Sequence, residues 1–158
     1  MRLNELQACC DKFLLLDPDD RYTVALRGAT GSYVDPLNPA HRRKLFQWLR
    51  QWGCRQFAIR DEAISDKSLT VCWSLFSDRL PSPVAHLHDL SNREIDAVAM
   101  AYGDLRDQPA SVQRTRRGDF TRGFGPTGAA KAMHAVRPLV CPPWDKPIRE
   151  VLGLPDNP

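Results

Sequence analysis

A chain of 158 residues, 42% hydrophobic and 26% charged, has ordinary globular usage and the length to bury a core without disulfide or metal staples. Collagen-like and charge-dominated disordered classes are excluded by that composition, and no window approaches the roughly 18 to 20 continuous apolar residues of a membrane span. The net charge is only +3, but it is unevenly placed. Arg42, Arg43, Lys44, Arg50, Arg55 and Arg60 fall between His41 and Arg60 with no acid among them. Arg114, Arg116, Arg117, Arg122, Lys131 and Arg137 fall between Ser111 and Arg137 against a single acid, Asp119. These two segments therefore carry +6 and +5, and the remainder sums to −8. Such asymmetry points to an anionic partner, although charge runs also arise as solvated helix faces and loops.

The N-terminal stretch MRLNELQACCDKFLLLDPDD has an apolar patch flanked by acids, and no small-residue cleavage site follows it. It is not read as a signal peptide. The five cysteines (Cys9, Cys10, Cys54, Cys72 and Cys141) are odd in number, two of them adjacent, which fits a reduced cytoplasmic compartment and structural thiols better than a disulfide framework. A zinc site needs closely paired ligands, and His86-Leu-His88 alone has a poor spacing for one. No metal and no cofactor are expected.

In chain order, the helical repeat of apolar residues first appears at Leu3, Leu6, Cys10 and Phe13, closed by Asp17-Pro18. From Thr23 to Pro39 the sequence reads as turns, with a short extended piece at Tyr22 to Leu26. A second helix carries Leu45, Trp48, Leu49 and Trp52, entered through Asn38-Pro39 and stopped at Gly53. The third carries Leu69, Cys72, Trp73 and Phe76 and ends before Pro81. A fourth, with Ile95, Val98, Ala99 and Tyr102, opens on a capping box between Ser91 and Glu94. The polar, basic stretch from Asp107 to Arg122 reads as a loop or a weak helix. Ala129, Ala132, Met133 and Val136 form a fifth helix that ends at Arg137-Pro138, and a short last one holds Ile148, Val151 and Leu152. The fold class expected is all-α, a single domain over residues 1–158.

The most informative stretch runs from Gly123 to Asp145. In Gly123-Phe124-Gly125-Pro126-Thr127-Gly128-Ala129-Ala130-Lys131 the glycines allow a tight turn with positive φ, and Pro126 suits the first turn of a helix. Unpaired amides and a positive dipole at such a start favour a phosphate, and Arg114, Arg116, Arg117 and Arg122 precede it. Ala129, Ala130 and Ala132 keep the helix narrow enough for another backbone to come close. Further on, three prolines hold the connection around Trp144 and Asp145 extended, with Asp145 at the start of the last helix. There Asp145 is either a helix cap or a functional carboxylate on a stiff support.

The run GFGPTGAAK, followed by Trp144-Asp145, resembles the helix-hairpin-helix/GPD superfamily of base-excision DNA glycosylases over about residues 120 to 150. The resemblance implies a helical bundle or barrel ending in a helix-hairpin-helix motif and an aspartate-bearing segment (residues 111–152), shortened at its C-terminal end. It implies that Gly123 and Gly125 are the hairpin glycines gripping a DNA backbone. Asp145 would be the catalytic aspartate that stabilises a cationic sugar during N-glycosidic cleavage. Thr127 stands where bifunctional members keep a Schiff-base lysine, which implies a monofunctional N-glycosidase using water. Lys131 follows one turn later as a phosphate contact or a solvated residue. Trp144, His134 and Tyr102 are candidates for the base pocket, because extruded bases stack on aromatic groups. Two further readings stay open: a non-catalytic module that holds nucleic acid, foremost DNA, by its phosphates, and an interaction scaffold that has lost activity. Thr121-Arg122 replaces the family's Leu-Pro, and only thirteen residues follow Asp145. Under the binding reading Asp145 merely caps a helix, and His134 reads more readily as a half-buried core histidine than as a pocket residue.

Overall fold

The computed structural model describes residues 21–31 and 33–141. Five α-helices occur among them: α1 (Arg21–Thr30), α2 (Pro39–Gln51), α3 (Glu62–Phe76), α4 (Asn92–Asp107) and α5 (Gly125–Val136). Two strands, β1 (Pro109–Thr115) and β2 (Gly118–Gly123), form an antiparallel hairpin between α4 and α5. The described fold is thus mostly helical, with a two-stranded sheet where an all-α chain was expected. None of the described helices is long and apolar enough to cross a membrane. The first and last expected helices, Leu3 to Phe13 and Ile148 to Leu152, lie outside the described residues.

Local chemistry explains most boundaries. Asn38 caps α2 by accepting from the Ala40 amide at 2.9 Å, and Pro39 occupies the first turn, where its missing N–H costs nothing. The capping box at α4 is complete. Ser91 Oγ accepts from the Glu94 amide, and Glu94 Oε2 accepts from the Ser91 amide at 2.9 Å. The apolar faces expected on α2 and α3 are the buried ones, with Leu45, Trp48 and Leu49 on the first and Leu69, Cys72, Trp73 and Phe76 on the second.

Two elements differ from the sequence expectation. Residues 22–26, expected as an extended piece, belong to α1, whose Leu26 is buried and whose Thr30 hydroxyl donates back to the Leu26 carbonyl. β-branched Thr23 and Val24 invite a strand reading, but packing against α2 decides for the helix. The stretch expected as a loop or weak helix holds the hairpin. Its turn sits on Arg116-Arg117, neither with positive φ, and Gly118 takes the excursion at φ +124°. Thr115 Oγ1 donates to the Gly118 carbonyl and accepts from the Arg117 amide, closing the turn.

The centre of the molecule is α5. From Gly128 to Val136 every residue is buried, so this part of the helix has no solvent face. Its small side chains let neighbours approach closely. A Cβ on Gly128 would lie 2.5 Å from the side-chain nitrogen Nε2 of Gln56 and 3.2 Å from the Phe57 ring. Phe57 itself meets Phe124 edge-on at 4.8 Å and Phe46 at 5.7 Å, joining the segment before α3 to α2 and to the entry of α5.

Gly128→Ala is therefore expected to lower unfolding free energy by about 1–3 kcal/mol through overpacking. Gly103→Ala, in the interior of α4 with nothing within 4 Å of the new methyl, should instead gain up to about 1 kcal/mol. Urea titrations of the two variants give the comparison, and equal midpoints would refute close packing at Gly128.

Candidate nucleic-acid interface

The hairpin presents most of the cations that the sequence placed before α5. Opposed residues on an antiparallel ladder share a face, and the face alternates along each strand. The register pairs Ser111 with Arg122, Gln113 with Phe120, Val112 with Thr121 and Arg114 with Asp119. Phe120 and Arg122 thus lie on one face, Arg114 and Asp119 lie on the other, and Arg116 and Arg117 form the tip. Arg116, Arg117 and Arg122 are exposed, with no ion pair to any described residue.

Arg114 has a different task. Asp61, 4% exposed at the entrance to α3, accepts from the Val112 amide at 3.4 Å and from both Arg114 terminal nitrogens at 3.2 Å. Arg60 adds a looser pairing at 3.6 Å. One carboxylate therefore answers one amide on the open edge of β1 and ties the hairpin to the helical body. An isolated two-stranded ribbon is marginal in water, so this clamp matters. Burial pushes the Asp61 carboxyl up, but the Val112 amide and the Arg114 and Arg60 guanidinium groups outweigh it, leaving its pKa below the ordinary value.

The second basic segment is largely committed to structure. Arg42 is buried and holds Asp66 through two nitrogens, at 2.6 and 3.2 Å, while also donating to the Pro36 and Leu37 carbonyls. Arg50 pairs with Glu62 at 2.6 Å. Arg43, Lys44 and Arg55 are the exposed remainder on α2 and after it. The two basic segments, alike in charge, thus differ in use.

The glycine-rich stretch resolves into packing. Gly123 ends β2, where an added Cβ would sit 3.3 Å from the Arg106 carbonyl and 3.4 Å from that of Gln108. Gly125 opens α5 at φ +68°, a conformation that disfavours any side chain. The Phe124 amide donates to the Gln108 carbonyl at 2.9 Å, and the Phe124 carbonyl accepts from Gln56 at 2.7 Å. The element leading into these glycines is a strand, in a stretch expected as a loop or weak helix. Thr127 is half-buried in the first turn of α5.

Lys131 is also corrected. Expected as a phosphate contact or a solvated side chain, it is 7% exposed. Its Nζ donates to the Trp52 carbonyl at 3.2 Å and lies 4.7 Å from the centroid of the Trp52 ring, which in turn stacks on Trp48. A cation on the last carbonyls of α2 complements that helix's negative end, a structural role for the charge.

Of the expected base-pocket residues, His134 is buried and its Nδ1 lies 2.8 Å from the Cys141 carbonyl, which requires the ring to donate there. It lines a shallow recess with Thr23, Tyr33, Val34, Trp48 and Pro138. Tyr102, on α4, is half-buried against the core and is not among the residues that line this recess. Asp145 and Trp144 lie outside the described residues. The hairpin escapes a reading of the sequence because Arg-Arg carries none of the usual turn chemistry.

The three described thiols follow the structural reading; Cys9 and Cys10 lie outside the described residues. Cys54, Cys72 and Cys141 are buried, and desolvation pushes Cys141 up to about 12. Cys72 is likewise raised to about 12 by burial, then by the neighbouring Asp104. Native protein at neutral pH should therefore leave Cys72 and Cys141 unalkylated by iodoacetamide, as read by peptide mass spectrometry, while unfolded protein labels at both. Because the folded pKa of Asp61 is depressed, its stabilisation is present above its unfolded value of about 3.9 and is lost as pH falls through the folded one. The stability gap between the parent and Asp61→Asn should accordingly be open at neutral pH and close in acid; a gap independent of pH would refute the clamp.

Comparison with family models, with curated proteins and with solved structures gives no match, which leaves the geometry of the hairpin and of α5 as the ground for a functional reading.

Proposed function

We propose that the chain binds nucleic acid through the β1–β2 hairpin, with Arg116, Arg117 and Arg122 on the phosphates. The observation that carries this reading is the division of labour among the arginines. Arg42, Arg50 and Arg114 are held by Asp66, Glu62 and Asp61, whereas Arg116, Arg117 and Arg122 project from a clamped ribbon into solvent. A cluster of unanswered cations on a rigid, narrow element is the electrostatic footprint of a phosphate-binding surface. A two-stranded ribbon is also of a size to enter a major groove.

The DNA N-glycosidase activity implied by the resemblance requires Asp145 and Trp144, both outside the described residues, so the function proposed is binding alone. Gly123 and Gly125 contribute by setting where β2 hands over to α5, and Thr127 has no part in the binding proposed. The two glycines aim the ribbon and supply none of its charge.

Arg116→Ala/Arg117→Ala should weaken binding to duplex DNA and reduce the slope of log affinity against log salt by about 0.9 for each phosphate no longer neutralised. Fluorescence anisotropy across a salt series reads both quantities. Arg114→Ala should mainly lower stability, by freeing the ribbon from Asp61. Absence of measurable binding by the parent at low salt, to duplex or single strand, would sink the proposal.

A further inference from the structure

Phe120 stands apart from the other phenylalanines of the described residues. Phe46, Phe57, Phe76 and Phe124 are all buried, while Phe120 is 55% exposed near the tip of the ribbon. Folding gains little from a benzyl group there. Polar Gln113 stands opposite it across the ladder, and the core lies at the other end of the hairpin. On its own face Phe120 has Arg122 two residues along, at roughly 6.7 Å by strand geometry, and Gly118 two residues back. Gly118 has no side chain and has open space around its Cβ position, with Thr115 across the ladder from it. Beyond it come the tip cations Arg116 and Arg117. An aromatic platform is thus bracketed by cations at both ends, on an element that Asp61 prevents from swinging.

We infer that the Phe120 face of the hairpin is a stacking platform for an unpaired base, which makes single-stranded nucleic acid the preferred partner over intact duplex. This rests on the proposed nucleic-acid reading of the hairpin and names its substrate class. The reason is chemical. In a duplex both faces of each base are covered by its neighbours, so an exposed ring finds nothing to stack on without breaking pairs. In a single strand the base faces are available, and every base has one, so recognition is tolerant of sequence. Arg122 and the tip arginines then hold the phosphates on either side of the stacked base. DNA and RNA single strands share this chemistry, and the platform's stacking face reads no 2′-hydroxyl.

The test measures binding of a thymidine homopolymer, a uridine homopolymer and a duplex of mixed sequence to the full chain at low salt, by anisotropy. The parent is expected to favour both single strands over the duplex. Phe120→Ala is expected to lose about tenfold in single-strand affinity, within the range of a single stacked base, while its duplex affinity stays unchanged. Phe120→Tyr should retain parental behaviour. Phe120→Leu, which keeps apolar bulk without a π-face, should behave as Ala does. Should Ala disturb the hairpin, seen as a lower melting temperature, the Leu and Tyr pair still separates stacking from bulk. If Phe120→Leu binds single strands as the parent does, or the parent prefers duplex, the platform is refuted and phosphate binding by Arg116 and Arg117 stands. If the parent binds none of the three, both readings fall together. Equal affinity for the two homopolymers is expected of a platform that stacks bases alone; a preference above tenfold for either would overturn its tolerance of the sugar.

Discussion

A helix that enters a protein core with no face left for water must have every polar group on it answered from within, and α5 from Gly128 onward is such a helix. Its last carbonyls and two of its polar side chains reach into the surrounding elements rather than outward. The Ala135 carbonyl accepts from the Val34 amide, His134 donates to the Cys141 carbonyl, and Lys131 caps the end of α2 at Trp52. Just past the helix, Arg137 donates to the Pro81 carbonyl at 2.6 Å and lies over the Trp73 ring at 5.0 Å. Burial lowers the pKa of that guanidinium, but a group that starts so high keeps its charge. Leaving any of these groups unsatisfied in a buried site costs more than the bond itself returns. The same bonds therefore fix where α2, the connection between α1 and α2, and the loop at Pro81 sit around α5.

That arrangement also explains the small residues. Gly128 leaves room for Phe57, and with it the aromatic cluster of Phe46, Phe57 and Phe124, to close on the helix, and Ala129, Ala130 and Ala132 are buried beside it. Gly125 supplies a positive φ at the entry, and Gly123 passes within touching distance of the last carbonyls of α4. A stretch whose composition resembles a backbone-gripping hairpin is thereby accounted for by interior packing. The proposed binding surface lies outward from it, on the ribbon that leads in.

The ribbon is tied to the helical body at Asp61. That residue lies between the end of a short 3-10 turn (Ile59–Asp61) and the start of α3, and it meets the Val112 amide and the Arg114 side chain together. Using one arginine to anchor the ribbon leaves the other three to the solvent. Charge asymmetry along the chain is thus a compound signal. Part of it is internal pairing, with Arg42 and Arg50 answered by acids that lie farther along the sequence, and part is an exposed cationic tip.

Capping residues make α2 and α4 legible along the chain, and apolar spacing does so for the buried faces of α2, α3 and α5, because these signals act within a few residues of themselves. On α4 only the cap was legible: the expected stripe of Ile95, Val98, Ala99 and Tyr102 is not the buried face, which carries Ala97, Ala101 and Leu105. The same locality explains what was not legible. Whether Thr23 and Val24 extend or coil was decided by packing against α2, and Pro109 to Gly123 pair as strands with Asp61, some fifty residues earlier, receiving their edge. The identity of a cation as anchor, cap or free charge is likewise invisible along the chain. Lys131 and Arg116 are alike in charge, and only the third dimension sets one against Trp52 and the other at the tip of a ribbon. Sequence by itself determined that a glycine-led, alanine-rich helix follows a basic segment; tertiary structure decided that the helix is the core and the segment is the surface, since burial is a property of neighbours brought together by the fold.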